Sequence, residues 1–131
     1  MAIGSVVLVA LAIGLSRTRV GRLPSGSNLQ RFDRATWQDS HSADYVPKDI
    51  TPRQKMLGDV VANVLPGRSR PELERLLGPS LDTPYFKSTG RDLIYVLGPQ
   101  RDNYFAPIDF EWLLIWLDEN GRFARYAIAV D

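Results

Sequence analysis

Two apolar segments joined by a turn signal decide which kind of fold this sequence can adopt. Residues 109–117 and 122–130 are rich in aromatic and aliphatic side chains, and Asp-Glu-Asn-Gly at 118–121 separates them. An Asn-Gly pair between two such segments predicts an antiparallel β-hairpin, because both residues tolerate the positive φ angles of the turn. A lone hairpin is marginally stable in water, so the rest of the chain must cover it.

Two capping boxes predict the helices that supply this cover. The first is Thr51-Pro52-Arg53-Gln54 and the second is Ser69-Arg70-Pro71-Glu72. In each, the hydroxyl of the first residue accepts a hydrogen bond from the amide of the fourth, and the side chain of the fourth accepts one from the amide of the first. A Pro-Gly pair ends the first helix and a Gly-Pro pair ends the second, which makes a helical hairpin. The apolar positions of the two helices are Met56, Leu57, Val60, Val61, Val64 and Leu65, and then Leu73, Leu76 and Leu77.

The remaining segments complete an α+β pattern. Residues 93–97 (Leu-Ile-Tyr-Val-Leu) predict a third strand, and residues 83–87 are a weaker candidate for a fourth. Residues 31–42 carry Phe32 and Trp37, and we expect a short helix that packs these two rings onto the domain. The predicted fold is therefore a helical hairpin packed on a three- or four-stranded antiparallel sheet in two layers.

The pairing of the C-terminal hairpin decides which side chains face the helices. A four-residue loop at 118–121 pairs Leu117 with Arg122 and Leu113 with Tyr126, whereas a three-residue loop with a bulge would exchange the two faces. We favour the four-residue loop, because it places the bulkier residues of the last strand in the core. The inward face then consists of Leu113, Ile115, Leu117, Tyr126 and Ile128.

The opposite face of the hairpin is the predicted interaction surface. It carries two tryptophans, and a large exposed aromatic patch is typical of a protein-binding site. As the alternative, residues 100–108 or the segment with Phe32 and Trp37 cover this face. The candidate partner-binding residues are Trp112, Leu114, Trp116 and Arg125.

The N-terminal segment predicts association with a membrane. Residues 2–15 contain no charge, and as a helix they would span roughly 21 Å, which is short for a bilayer core of about 30 Å. We therefore interpret residues 1–16 as a membrane anchor or signal-type segment, residues 17–30 as a linker, and residues 31–131 as the α+β domain. The alternative for the first segment is a buried core helix. Arg17, Arg19 and Arg22 would favour a cytoplasmic domain by the positive-inside rule.

Composition excludes several function classes. The chain has 16 basic and 15 acidic residues among 131, and its net charge of +1 provides no basic patch for a nucleic acid. It has no cysteine, which excludes disulfides, thiolate metal sites and a lipid-modified cysteine. His41 reads as a solvated loop residue, and Asp109 with Glu111 reads as a charged strand edge, with a small hydrolase as the alternative. We expect no enzyme activity, cofactor, metal or small-molecule substrate.

Three motifs resemble a known family. They are Leu-Pro-Gly-Arg-Ser-Arg-Pro-Glu-Leu-Glu-Arg-Leu-Leu-Gly-Pro (65–79), Tyr-Val-Leu-Gly-Pro (95–99) and Trp-Leu-Leu-Ile-Trp-Leu-Asp-Glu-Asn-Gly-Arg (112–122). With them, residues 53–130 resemble the SmpA/OmlA (BamE-like) family of small bacterial envelope proteins. The resemblance implies a β-lactamase-inhibitor-like domain with an accessory role in outer-membrane protein assembly, acting by protein contact. Better-known members are lipoproteins, whereas residues 13–16 here (Ile-Gly-Leu-Ser) contain no cysteine to carry a lipid.

These features together give one functional expectation and one alternative. We expect a membrane-tethered binding or scaffold module of the cell envelope, facing the periplasm, that is tethered through residues 2–15 and recognises a protein partner. The alternative is a protein inhibitor or immunity-type binder of the same architecture.

Overall fold

The computed structural model describes residues 22–101 and 109–131. These residues form an α+β fold with a three-stranded antiparallel sheet, in which the strands lie side by side in chain order. The anchor or signal-type segment predicted for residues 1–16, and the apolar helix expected there, lie outside the described residues. Within those residues no helix has the length and apolar character that a bilayer span requires. The elements are α1 (Arg34–Gln38), α2 (Pro52–Asp59), a π-helical turn (Val60–Val64), α3 (Arg70–Leu77), a 3-10 turn (Lys87–Thr89), β1 (Leu93–Pro99), β2 (Phe110–Leu117) and β3 (Phe123–Val130).

Both predicted capping boxes are confirmed. Thr51 accepts a hydrogen bond from the Gln54 amide at the start of α2, and the Gln54 side chain accepts one from the Thr51 amide. Ser69 and Glu72 make the same reciprocal pair at the start of α3. The Thr51 hydroxyl also donates to the Leu97 carbonyl of β1 at 2.6 Å, and this bond connects the start of α2 to the sheet.

The first predicted helix departs from regular geometry in its second half. After Asp59 the chain widens into the π-helical turn, where the Leu65 amide donates to the Val60 carbonyl at 2.9 Å, five residues back. The predicted apolar positions remain on the core side, with only Val61 partly exposed. Leu65 is fully buried, so the wider turn keeps this predicted apolar position in the core.

The short helix predicted around Trp37 is confirmed as α1. Trp37 is fully buried, and its indole Nε1 donates to the Leu77 carbonyl at the end of α3 at 3.1 Å. Its ring lies 4.9 Å from the guanidinium carbon of Arg53, and Phe32 packs against it with ring centroids 6.2 Å apart. Helix α1 therefore belongs to the helical layer, and it does not cover the opposite face of the sheet.

One hydrophobic core joins the helices to the sheet. It contains the buried side chains of α1, α2, the π-helical turn and α3 together with the inward residues of all three strands. Its sheet residues are Leu93, Tyr95, Leu97, Leu113, Ile115 and Ile128, with Leu117, Phe123 and Tyr126 packed at its margin.

The predicted inward and outward residues of the hairpin lie on the predicted faces, but the register is wrong, by one residue at Leu117 and by two at Leu113. Leu113 pairs with Ile128, not with Tyr126, and Leu117 pairs with Phe123, not with Arg122. The Asp118 amide donates to the Arg122 carbonyl, and this closes a loop one residue shorter than predicted. A second irregularity lies between Trp116 and Leu117 in the pairing with β3. The two irregularities each shift the pairing by one residue, so the sets from Leu113 to Trp116 and their partners keep their faces. Phe123, which alternation along the last strand would place outward with Arg125, instead packs on the helix-side core.

Two further predictions change in the structure. The fourth strand at 83–87 is wrong, because Pro84 and the left-handed Phe86 (φ 59°) lead the chain into turns and no ladder forms. The described part of the predicted linker, residues 22–30, packs on α2: the Gly58 amide donates to the Ser27 carbonyl at 2.6 Å. Ser27 is buried, so this segment belongs to the folded domain.

Candidate interaction surface

The sheet face opposite the helices carries all the side chains that the sequence assigned to a partner surface. We call this the aromatic face. Arg125 borders it: it pairs with Trp116 across β2 and β3, and its guanidinium carbon lies 4.7 Å from the centre of the Trp116 ring. The buried members of the aromatic face are Ile94, Trp112, Leu114, Trp116, Ala127 and Ala129.

The expectation that this face is exposed is wrong. Leu114 is fully buried, and Trp112 and Trp116 are each 5% exposed. Phe86 and Val96 pack against the aromatic face, and Phe86 belongs to the irregular segment between α3 and β1. We call residues 79–92 the strap. Of the two covers considered from the sequence, the Phe32 and Trp37 segment lies in the other layer, and most of 100–108 lies outside the described residues.

The strap is fastened to the aromatic face at both ends. At its start, the Leu81 amide donates to the Ile94 carbonyl at 3.1 Å, and the Ser80 hydroxyl accepts from the Ile94 amide at 2.9 Å. Towards its end, Trp116 Nε1 donates to the Thr89 carbonyl at 3.1 Å. These contacts close the outer edge of β1 at Ile94, and the edge is therefore not open to another strand.

The middle of the strap is held by a guanidinium. Arg91 Nη2 donates to the Thr83 carbonyl at 2.7 Å and to the Tyr85 carbonyl at 2.9 Å, while its Nε donates to the same Tyr85 carbonyl. Burial lowers the pKa of Arg91 below its ordinary value. The ring of Tyr85 meets Trp112 edge-on with centroids 5.3 Å apart, yet Tyr85 is 49% exposed, so it belongs both to the cover and to the outer surface.

Two hydrogen-bond donors on the aromatic face are buried and have no acceptor in the described part of the chain. They are the indole Nε1 of Trp112 and the Nε of Arg125. Burial lowers the pKa of the Arg125 guanidinium, and the Asp92 carboxylate opposes this effect. A buried donor without an acceptor costs about 1–3 kcal/mol, and native folds contain few of them.

This arrangement is suited to binding a group that accepts hydrogen bonds. Trp112 lies in the central strand beside the exposed ring of Tyr85, and Arg125 lies at the border of the same face. A carbonyl or carboxylate of another molecule would satisfy either donor, and the flat rings beside them offer apolar contact.

Of the two acidic residues considered for the alternative hydrolase, Glu111 lies in β2 and Asp109 just before it. Glu111 lies on the helix side of β2 and is 3% exposed, and its Oε1 accepts from Arg101 Nε at 2.9 Å and from Gln54 Nε2 at 3.2 Å. Asp109 precedes the strand, and its carbonyl accepts from the Gln100 amide. Glu111 therefore has the surroundings of a structural ion-pair residue.

His41 lies in an exposed loop, as the sequence predicts. Its Nδ1 lies 2.8 Å from Asp44 Oδ2, and this hydrogen bond is the main reason why the pKa of His41 is raised. No group of three His, Cys, Asp or Glu residues that could hold a metal ion occurs within residues 22–101 and 109–131.

The sequence reasoning missed two features of the surface and its support. The strap lacks any periodic pattern, although Tyr85 and Phe86 between a proline and a glycine offered a signal of packing. The partnership between Arg101 and Glu111 joins residues ten apart in the chain, and no spacing rule predicts it.

The chain was compared with protein-family models, with curated proteins and with solved structures, and none of them matches it.

Proposed function

We propose that this chain is a membrane-tethered binding or scaffold module of the cell envelope that recognises a protein partner at the aromatic face. The observation that carries the proposal is the pair of buried donors, Trp112 Nε1 and Arg125 Nε, which have no acceptor within the described residues. A partner that supplies a main-chain carbonyl or a carboxylate removes a cost of about 1–3 kcal/mol per donor. Binding is then favoured by an acceptor that residues 22–101 and 109–131 do not supply.

The partner reaches this face across the strap. Leu81 is 47% exposed and Tyr85 is 49% exposed, and both belong to the strap that covers the buried tryptophans. Arg125 is partly exposed at the border. The strap thus exposes one aliphatic and one aromatic side chain, and β3 exposes part of a cationic one, which are residue types that protein interfaces favour.

The tether and the setting of this activity rest on the sequence. Residues 2–15 are uncharged and apolar, which supports attachment to a membrane. The resemblance of residues 53–130 to SmpA/OmlA (BamE-like) proteins supports a β-lactamase-inhibitor-like arrangement, a domain facing the periplasm, and an accessory role in outer-membrane protein assembly.

The first experiment tests the tether. We expect the full-length chain to sediment with the membrane fraction of the cells that produce it, and a variant without residues 2–15 to remain in the supernatant. If both proteins fractionate alike, residues 2–15 are not the membrane attachment.

The second experiment tests the surface by photo-crosslinking in cells. A photoreactive phenylalanine analogue in place of Tyr85 should link the chain to a discrete partner, whereas the same group in place of Leu29, which is 69% exposed, should not. Trp112→Phe keeps a ring but removes the unpaired N–H, so we expect it to reduce the crosslink. A crosslink from Tyr85 that is unchanged by Trp112→Phe would contradict the proposal.

A matched variant separates binding from stability. Trp116→Phe removes an N–H that donates to Thr89, so it should lower the free energy of unfolding by about 1 kcal/mol more than Trp112→Phe does. If Trp112→Phe lowers the free energy of unfolding as much as Trp116→Phe does, the Trp112 N–H has an acceptor within the chain, and the proposal is wrong. A linked partner that is a single enzyme, inhibited on binding, would instead make the chain a protein inhibitor.

A further inference from the structure

A second apolar surface lies where the loop after α1 meets the end of β1 and the start of β2. Five of the described residues line an open hollow of about 430 Å³, which we call the Tyr45 hollow. Tyr45 is 64% exposed and Phe110 is 39% exposed, so two aromatic rings are accessible there. The lining residues are Ala43, Asp44, Tyr45, Pro99 and Phe110.

The loop side of the Tyr45 hollow is held in place by Arg53. Its Nε donates to the Ser42 hydroxyl at 2.8 Å and to the Trp37 carbonyl at 3.0 Å, and its amide donates to the Ser42 carbonyl at 3.1 Å. The Nη1 of the same guanidinium donates to the Val96 carbonyl at 2.9 Å. One side chain thus fixes the loop before Tyr45 against both α1 and β1.

The strand side is held equally well. The Pro99 carbonyl accepts from Gln54 Nε2 at 2.8 Å, and the Phe110 amide donates to Asp131 Oδ1 at 2.9 Å. Because hydrogen bonds fix the backbone on both sides, little conformational freedom remains to be lost when a ligand binds.

Two carboxylates lie at the Tyr45 hollow. Asp44 is the one charged residue among the five that line it, and its carboxylate is 62% exposed while Oδ2 bonds His41. The Asp131 carboxylate lies directly beside Phe110. Aromatic faces attract cations, and a neighbouring carboxylate adds to this attraction.

We propose that the Tyr45 hollow binds a proline-containing, basic segment of another protein. Prolyl rings would lie across Tyr45 and Phe110, and an arginine or lysine between them would meet Asp44. Aromatic-lined grooves take proline-rich segments readily, because such a segment is already extended and loses little entropy on binding. This site is independent of the aromatic face.

Fluorescence anisotropy with defined peptides tests this proposal. The probe is a fluorescein-labelled Pro-Pro-Arg-Pro-Pro peptide, titrated with the full-length chain, and the comparison peptide has glutamine in place of arginine. We expect the arginine peptide to bind and the glutamine peptide to bind about fivefold more weakly. Equal binding of both peptides, or no binding up to a concentration on the order of a millimolar, would overturn the proposal.

Substitutions locate the binding to the hollow. Asp44→Asn and Tyr45→Ala should each weaken the arginine peptide about two- to fivefold, because each removes one exposed contact. Leu29→Ala and Asp82→Asn change an exposed apolar and an exposed acidic residue elsewhere and should leave binding unchanged. Circular dichroism confirms that each variant folds. Equal weakening by the controls, or no effect of the two hollow variants, would show that the peptide binds elsewhere.

Discussion

Removing the Glu111 carboxylate should destabilise the domain strongly. Its side chain is 3% exposed and accepts from Arg101 Nε at 2.9 Å, from the Arg101 amide at 3.0 Å and from Gln54 Nε2 at 3.2 Å. Glu111→Ala takes the acceptor from all three donors and leaves the buried guanidinium without this carboxylate. Breaking a buried ion pair from one side costs about 3–5 kcal/mol, a large part of a total stability of about 5–15 kcal/mol.

The loss extends beyond β2, because Arg101 also holds the segment before α1. Its Nη1 donates to the Ser25 carbonyl at 2.8 Å and to the Ser27 hydroxyl at 2.9 Å. When the guanidinium is no longer fixed by Glu111, these contacts weaken as well. We therefore expect faster hydrogen exchange at the Gly58 amide, which donates to the Ser27 carbonyl.

Urea unfolding followed by tryptophan fluorescence measures the effect. All three tryptophans are buried, so their emission reports the loss of the fold. We expect Glu111→Ala to lower the free energy of unfolding by about 3–5 kcal/mol and the melting temperature by about 12–20 °C. Glu119→Ala, in the exposed turn, is the control and should stay within about 0.5 kcal/mol of the parent.

A double variant distinguishes the effect of leaving one charge buried without its partner from the effect of losing the packing of the Glu111 side chain. Arg101→Met with Glu111→Leu replaces both charges by apolar groups of similar size, and it should recover most of the stability that Glu111→Ala loses. If Glu111→Ala lowers the free energy of unfolding by less than about 1 kcal/mol, the hydrogen bonds from Arg101 and Gln54 to Glu111 do not stabilise the domain, and this reasoning is refuted.

Three further predictions follow from other contacts. Thr51→Ala should lower the free energy of unfolding by about 1–2 kcal/mol in urea melts, because Thr51 caps α2 and donates to Leu97, whereas Thr51→Ser should retain most of it. Gly58→Ala should destabilise the domain, because the added Cβ would meet the Asn28 side chain and lie 2.8 Å from the Ser27 carbonyl; wild-type stability would contradict this packing. The pKa of Asp59 is lowered by its hydrogen bonds to Asn63 and to the Phe32 amide, so its contribution is present above its unfolded pKa and is lost as pH falls through its folded pKa. Urea melts should therefore show stability falling below about pH 4, and less steeply in Asp59→Asn.

The helical layer was predictable because its signals are local and periodic. Thr51 and Ser69 each carry a complete capping box, and the apolar residues that follow repeat at helical spacing. The packing of Trp37 was also predictable, because a large aromatic side chain in a polar segment is stabilised by burial against the core. The π-helical turn was missed, since its hydrogen bonds skip one more residue than the pattern assumes.

The hairpin shows why a correct face can follow from a wrong register. Side chains alternate with a period of two, so a register error of two residues returns every side chain to its predicted face. The shorter loop after Asp118 shifts the pairing of β2 with β3 by one residue, and the irregularity beside Trp116 shifts it by one more. With a single irregularity, Leu113 would pair with Ala127 and Ile115 with Arg125, so the outward residues of β3 would share a face with the inward residues of β2. Nothing in the sequence near Ala124 indicates that the second one exists.

The two faces of the sheet are covered by different means, and this difference explains where prediction failed. The helix side is covered by regular elements, whose amphipathic period can be read in the sequence. The aromatic face is covered by the strap, where Phe86 has left-handed backbone geometry and Arg91 holds carbonyls that no ladder pairs. Such contacts depend on tertiary geometry, so the burial of Trp112 and Trp116 could not be predicted from alternation alone. The strap lies over the face where two buried donors lack acceptors within the described residues. The part of the fold that the sequence specifies least is therefore the part to which we assign recognition.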